Sequence, residues 1–170
     1  MAGFDYNGNL EAVVQALKDY NTTTASVDLS ANLGVRIRDE NIKIGDPDVE
    51  MLRAGKMPAI FVRLENSVEA FAAIGGTGPT GNSKEKTVIY NVYAMHGRAG
   101  GSERHVDAMV GMAEMVRNIE AVFQAEYRLS NTALWCNPRN TAISNVPIDA
   151  NGATWIKTGV IELEAKYFFR

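Results

Sequence analysis

Apolar residues recur at helical spacing near the start of the chain: Leu10, Val13, Val14 and Leu17, with Glu11, Gln15 and Lys18 on other faces. The spacing predicts an amphipathic helix capped by Asn9 and ended by Tyr20-Asn21. β-Branching from Thr22 to Thr24 and a break at Asn32 to Gly34 then predict a loop with at most one helical turn. From Val35 to Ile44, apolar and charged residues alternate as in a short edge strand or an extended arm. Asp46-Pro47 has helix-opening geometry and Gly55 is a stop, giving a short helix from about Pro47 to Ala54.

The strongest period-two patterns come next. Ile60, Val62 and Leu64 mark a strand from Ala59 to Glu65 that extends toward Phe71, and Val88, Tyr90, Val92 and Ala94 mark another from Thr87 to Met95. These are expected as hairpin neighbours. Their connection, 75–86, is too long and glycine-rich for a tight turn, so it is expected to be flexible until a partner orders it. A second break, Gly97 to Gly101, leads to Ser102 as the cap of the longest helix. Its predicted apolar stripe is Val106, Met109, Val110, Ala113, Val116, Ile119 and Phe123. The remainder reads as β: Ala133 to Cys136, a turn at Asn137-Pro138-Arg139-Asn140, a strand from Thr141 to Asp149, an Asn151-Gly152 hairpin turn, and a long strand from about Thr154 to Phe168. Pro147 lacks an amide donor and places its strand at an edge or a bulge. The last strand alternates Ile161, Leu163, Ala165, Tyr167 and Phe169 against Glu162, Glu164 and Lys166, so one face is buried and the other is wet or meets a partner. The expected fold is α+β: a single domain over 1–170, mainly antiparallel sheet, packed by one long helix and an N-terminal helix. An extended arm with a short helix (22–57) and the long hairpin loop complete it.

Composition narrows what such a domain does. A chain of 170 residues with 46% hydrophobic and 22% charged residues can bury a core without staples. A net charge of -3 supplies no global basic field for phosphate neutralisation. Cys136 has no internal disulfide partner, and with only His96 and His105 it makes no metal-ligand pattern, as expected of a protein made in a reducing cytoplasm. Neither a secretory leader nor a bilayer-length apolar run is evident, so no membrane partner is expected.

Candidate chemistry is thin. Gly76-Thr77-Gly78-Pro79-Thr80-Gly81-Asn82-Ser83 comes close to a phosphate-binding loop, but Asn82 stands where the phosphate-reaching lysine belongs and a strand follows where a helix is needed. His96 at a strand end and His105 in the first helical turn suit a helix-terminus role better than metal binding. Ser102 is explained as a cap rather than a nucleophile. Cys136 has no neighbouring cation to activate it, and the pair Glu162 and Glu164 suits a solvated strand face better than acid-base work. Met109, Met112 and Met115 read mostly as core filling, with an exposed one available to an adaptable interface. No enzyme activity and no cofactor are expected. A small-molecule or nucleotide-binding domain built on the two glycine-rich loops stays open as the alternative.

From Pro58 to Arg170 the arrangement resembles the tail terminator and tail completion proteins of long-tailed bacteriophages and related head-to-tail neck components. The resemblance rests on the hairpin Ile60-Phe61-Val62-Arg63-Leu64 with Val88-Ile89-Tyr90-Asn91-Val92-Tyr93, the helix after Ser102 and the closing strand Gly159 to Phe168, with the helix Leu10 to Tyr20 fitting as well. It implies a structural virion protein of the tail or neck, assembled in the host cytoplasm. Such a protein forms a hexameric ring that caps the tail tube protein, stops its polymerisation and meets the head-side connector protein, with DNA only as cargo passing through the lumen. A tube or baseplate subunit is the structural alternative. The stretch Thr22 to Met57 departs from the compact family plan and is read as an inserted arm reaching toward a neighbouring subunit. Interface candidates are Gly75, Gly76, Thr77, Gly78, Pro79, Thr80, Gly81, Asn82, Ser83 and Lys84 in the hairpin connection, Arg36, Arg38 and Lys43 in the arm, and Glu162 and Glu164 on the final strand.

Overall fold

In the computed structural model, the N-terminal apolar stripe becomes helix α1, Tyr6–Asp19, with Leu10, Val13, Val14, Ala16 and Leu17 buried. The described residues are 4–47, 57–71, 84–99, 103–147 and 154–169. The helix starts a turn earlier than its apolar spacing suggests. Its cap is Asp5, whose side chain accepts from the Gly8 amide, rather than Asn9, whose side chain instead donates to the Asp5 carbonyl. A carboxylate at the N-terminus satisfies an orphan amide and faces the positive end of the helix dipole, which outweighs the low helix propensity of Gly8.

Between Thr22 and Arg38 no regular element forms; a 3-10 turn, Asp39–Asn41, leads into the short strand β1, Ile42–Ile44. The stretch nonetheless lies on the chain's own core, since Leu29, Leu33 and Ile37 are buried. All but Pro47 of the predicted short helix Pro47 to Ala54 lies outside the described residues. The rest of the chain gives β2, Ala59–Phe71; β3, Lys84–Ala99; helix α2, Glu103–Ala125; β4, Trp135–Pro147; and β5, Thr154–Phe169.

These strands make a five-stranded sheet in the order β1-β2-β3-β5-β4. β1 runs parallel to β2, and every other pair is antiparallel, so the fold is α+β with a mostly antiparallel sheet. Ile60 and Val62 of β2, Tyr90 and Val92 of β3, and Ile161, Leu163 and Ala165 of β5 face both helices in a common core. A smaller cluster of Ala59, Phe61, Met95 and Ile156, with Tyr93 and Met57 against it, occupies the opposite face.

Three sequence expectations give way here. The predicted turn Asn137 to Asn140 is a β-bulge inside one continuous strand, β4, with the register shifting between Pro138 and Asn140. Pro138, opposite Leu163, is tolerated because β4 is an edge strand, and the residue the bulge leaves out of the ladder is its neighbour Arg139. The break read at Gly97 is strand as well: Gly97, Arg98 and Ala99 continue β3 opposite Ile156, Trp155 and Thr154. Finally, the buried stripe of α2 is Ala108, Met112, Met115, Val116, Ile119, Val122 and Phe123, whereas Met109, Val110 and Ala113 face outward. The side chain of Val106 lies outside the described set. Two overlapping apolar stripes were available to this helix. The sheet takes the one beside Gly111, where absence of a side chain allows close approach: a Cβ at Gly111 would lie 2.6 Å from His96 Cε1.

Candidate interface surfaces

Gly75 to Ser83, the centre of the sequence-based interface, lies outside the described residues. The flanks fix where the hairpin closes. Phe71 pairs with Lys84, so Lys84, Glu85 and Lys86, taken with the loop in the sequence reading, are the opening of β3. The phosphate-loop reading therefore lacks the helix it needs immediately afterwards. Lys86 is buried, with Nζ 4.8 Å from the Phe4 ring centroid, 4.6 Å from that of Tyr6, and 3.7 Å from Glu69. A cation between two aromatic faces fastens the chain's N-terminal residues to the sheet. The Tyr6 hydroxyl, bonded to Ser67, has its pKa lowered by its hydrogen bond with Lys86 and then by that with Ser67.

In the stretch after α1, Arg36 grips Asp28 through both guanidinium nitrogens and donates to the Asn21 carbonyl at 2.8 Å. Asn21 is the hub. Its side-chain amide donates to the Ile37 carbonyl and to Asp39, while its oxygen accepts from the Ser30 hydroxyl. From α2, Asn118 donates to the carbonyls of Leu29 and Ala31. Together these bonds wrap 21–41 around its own domain instead of projecting it outward, with the Arg36 guanidinium bonded to the wrap while its side chain stays exposed. Arg38 stays exposed beside Glu40, and Lys43 stays exposed on β1.

Glu162 and Glu164 lie on the sheet face away from the helices, where both are partly exposed. Glu164 meets Arg139 across to β4 at 3.1 Å, and nearby Lys166 meets Glu85 across to β3 at 2.5 Å. This half of the face is a run of cross-strand ion pairs, the arrangement of a solvated sheet surface. Arg63 between Asp46 and Glu65 continues it onto β2.

The two sheet edges carry features that alternation alone did not single out. β1 and β4 are the terminal strands of the sheet. Beside β1, a groove of about 410 Å³ runs between α1 and the strand, lined by Glu11, Val14, Gln15, Lys18, Ile42, Lys43 and Ile44. Ile44 is 46% exposed there. On β4, residues 139–144 are all exposed, including Ile143 at 43%, and Thr141 is tied to Glu120 of α2 by a 2.6 Å hydrogen bond. Ile143 pairs with Gly159, so its side chain points to the helix-covered face, as those of Ile42 and Ile44 do opposite Ile60 and Val62. In sequence, the signal was an isoleucine in the otherwise small and polar run Thr141-Ala142-Ile143-Ser144.

The reactive residue types are placed as follows. The Cys136 thiol is buried, and desolvation pushes its pKa up to about 12, which leaves it protonated and inert at neutral pH. His96 lies within β3, packed on Gly111 in α2 rather than at a helix end, and its cross-strand neighbour is the fully buried Lys157. Burial lowers the Lys157 pKa. The side chain of His105 is outside the described set. Among the described residues no cluster of three or more His, Cys, Asp or Glu could hold a metal ion, and no helix is long and apolar enough to cross a membrane. No protein-family model matches the chain, and no curated protein is similar to it.

Proposed function

We propose that the protein is a structural component of a long-tailed phage virion, a tail terminator that closes into a hexameric ring on the tail tube and presents the head-side connector with its next surface. The observation that carries this reading is the pair of unlike terminal strands at opposite ends of one sheet, neither paired on its outer side among the described residues. A ring closed by rotation uses head-to-tail contacts, so each subunit needs two different complementary surfaces and no catalytic group. The order of hairpin, long helix and closing strand, on which the resemblance stands, agrees with it. DNA is cargo in the lumen on this reading, and the net charge of -3 suits a passage that does not hold phosphates.

Negative-stain microscopy and mass photometry of the purified protein, alone and mixed with tail tubes, test the reading. Discrete rings, or rings seated on tube ends, are the expected outcome. A persistent monomer that never associates with tubes would count against it, and open filaments would favour a tube or baseplate subunit.

A further inference from the structure

We infer that the ring is closed by strand addition: β4 of one copy pairs antiparallel with β1 of the next, and Ile143 seats in the groove between α1 and β1. The inference rests on the ring reading and names the contact that would make it. Three independent features of the single chain agree.

The first is direction. β1 is parallel to β2, β2 is antiparallel to β3, β3 to β5, and β5 to β4, so β4 runs opposite to β1. When copies are related by rotation about an axis along the strands, β4 of one therefore meets β1 of the next in the antiparallel sense, which a ladder accepts directly. Second, the faces match. Ile143 points to the helix-covered side, and so do Ile42 and Ile44. In the same rotation the helices of neighbouring copies stay on one side, so the three isoleucines fall on one face of the extended sheet. The third feature is chemistry. The groove is lined by the apolar Val14, Ile42 and Ile44 together with Glu11, Gln15, Lys18 and Lys43. An exposed isoleucine on an edge strand fits such a site, and two different edges matched in this way make a heterologous contact that can close. β1 is only three residues long, Ile42–Ile44, so the ladder is short and the apolar seat contributes much of the specificity.

The test uses the full-length protein with Ile143→Arg and Ile44→Arg, each changing an exposed side chain. Either substitution is expected to lower ring yield at least about tenfold, as for loss of an apolar anchor, with an unchanged thermal midpoint. A mixture of the Ile143→Cys and Ile44→Cys proteins is expected to form a disulfide between chains that neither protein forms alone; the buried Cys136 stays out of this reaction. Wild-type rings together with intact rings from both arginine variants would overturn the strand-addition contact and leave the ring reading standing. Cross-linking of the Ile143→Cys protein with itself would overturn it in favour of a two-fold β4–β4 dimer. Absence of any wild-type association, alone or on tubes, would overturn both, and is distinguished by the missing wild-type signal.

Discussion

Where α2 meets the sheet, two glycines set the spacing. A Cβ at Gly111 would lie 2.6 Å from His96 Cε1, and one at Gly159 would lie 2.7 Å from Val116 Cγ2. Gly111→Ala gains about 1 kcal/mol of helix propensity, but it drives a methyl into a buried ring, and overpacking of this kind costs about 1–3 kcal/mol. The clash is expected to win, with a net loss of about 1 kcal/mol in urea denaturation. Combining Gly111→Ala with His96→Ala should be non-additive, because removing the ring removes the clash. A second residue-scale prediction concerns alkaline pH. Cys136 is raised from near 9 to about 12, and Tyr90, bonded to the Tyr167 hydroxyl at 2.9 Å, is raised from 10 to about 12, in both cases chiefly by burial. The unfolded chain loses these protons first, so the stability they contribute is fully present below pH 9 and is lost as pH rises toward 12. Each group adds a slope of up to about 1.4 kcal/mol per pH unit. Urea denaturation between pH 8 and 11 should show the decline begin above pH 9 and steepen above pH 10, and Cys136→Ala should flatten its first part. That no cation activates Cys136 was legible in the sequence; its full burial was not. The contact of His96 with Gly111 was not, because it joins positions on two elements whose relative placement no local pattern encodes.

At the scale of elements, periodicity located β2, β3, α2 and β5 because each carries a long run of one period, and their extra residues at the ends came from pairing with neighbours. It failed where two signals competed. α2 had two apolar stripes, and packing chose between them. β4 had a proline that reads locally as a turn, yet an edge strand accepts it in register beside a bulge at Arg139. The stretch after α1 shows a different limit: its polar residues look like a solvated arm, but their hydrogen bonds go inward to one asparagine. Asn21→Ala would strip partners from the Ile37 carbonyl, Asp39 and Ser30 together. Leaving buried polar groups unpaired is expected to cost about 2–3 kcal/mol. The variant should also be cut faster by trypsin at Arg36 and Arg38, since the Asn21 side chain anchors the adjoining Ile37 carbonyl and Asp39; equal cleavage rates would show that the wrap does not depend on this hub.

For the whole molecule, the question is which surfaces serve the fold and which are left for neighbours. The buried side of the sheet, the wrap over 21–41 and the clasp of Lys86 by Phe4 and Tyr6 all serve the chain itself. Arg36 bonds into the wrap through Asp28 and the Asn21 carbonyl while its side chain stays exposed. On the proposed ring reading, Arg38, Lys43 and the two terminal strands are available to neighbours, and a role for the hairpin connection can be tested separately from folding. Because Phe71 and Lys84 are paired, the connection 72–83 can be replaced by Asn-Gly, a two-residue hairpin turn, without disturbing the register behind it. Closing a shorter loop costs slightly less entropy, so the thermal midpoint should hold or rise a little. If the connection is the contact to tail tubes or to the next copy, the same variant should associate at least about tenfold more weakly, as expected when a principal contact is removed. Mass photometry with tubes reads the two candidate contacts apart: rings that form but no longer seat on tubes place the connection at the tube, and loss of rings places it between copies. A variant equal to wild type in both respects would take 72–83 out of the interface and leave the sheet edges as the surfaces that build the assembly.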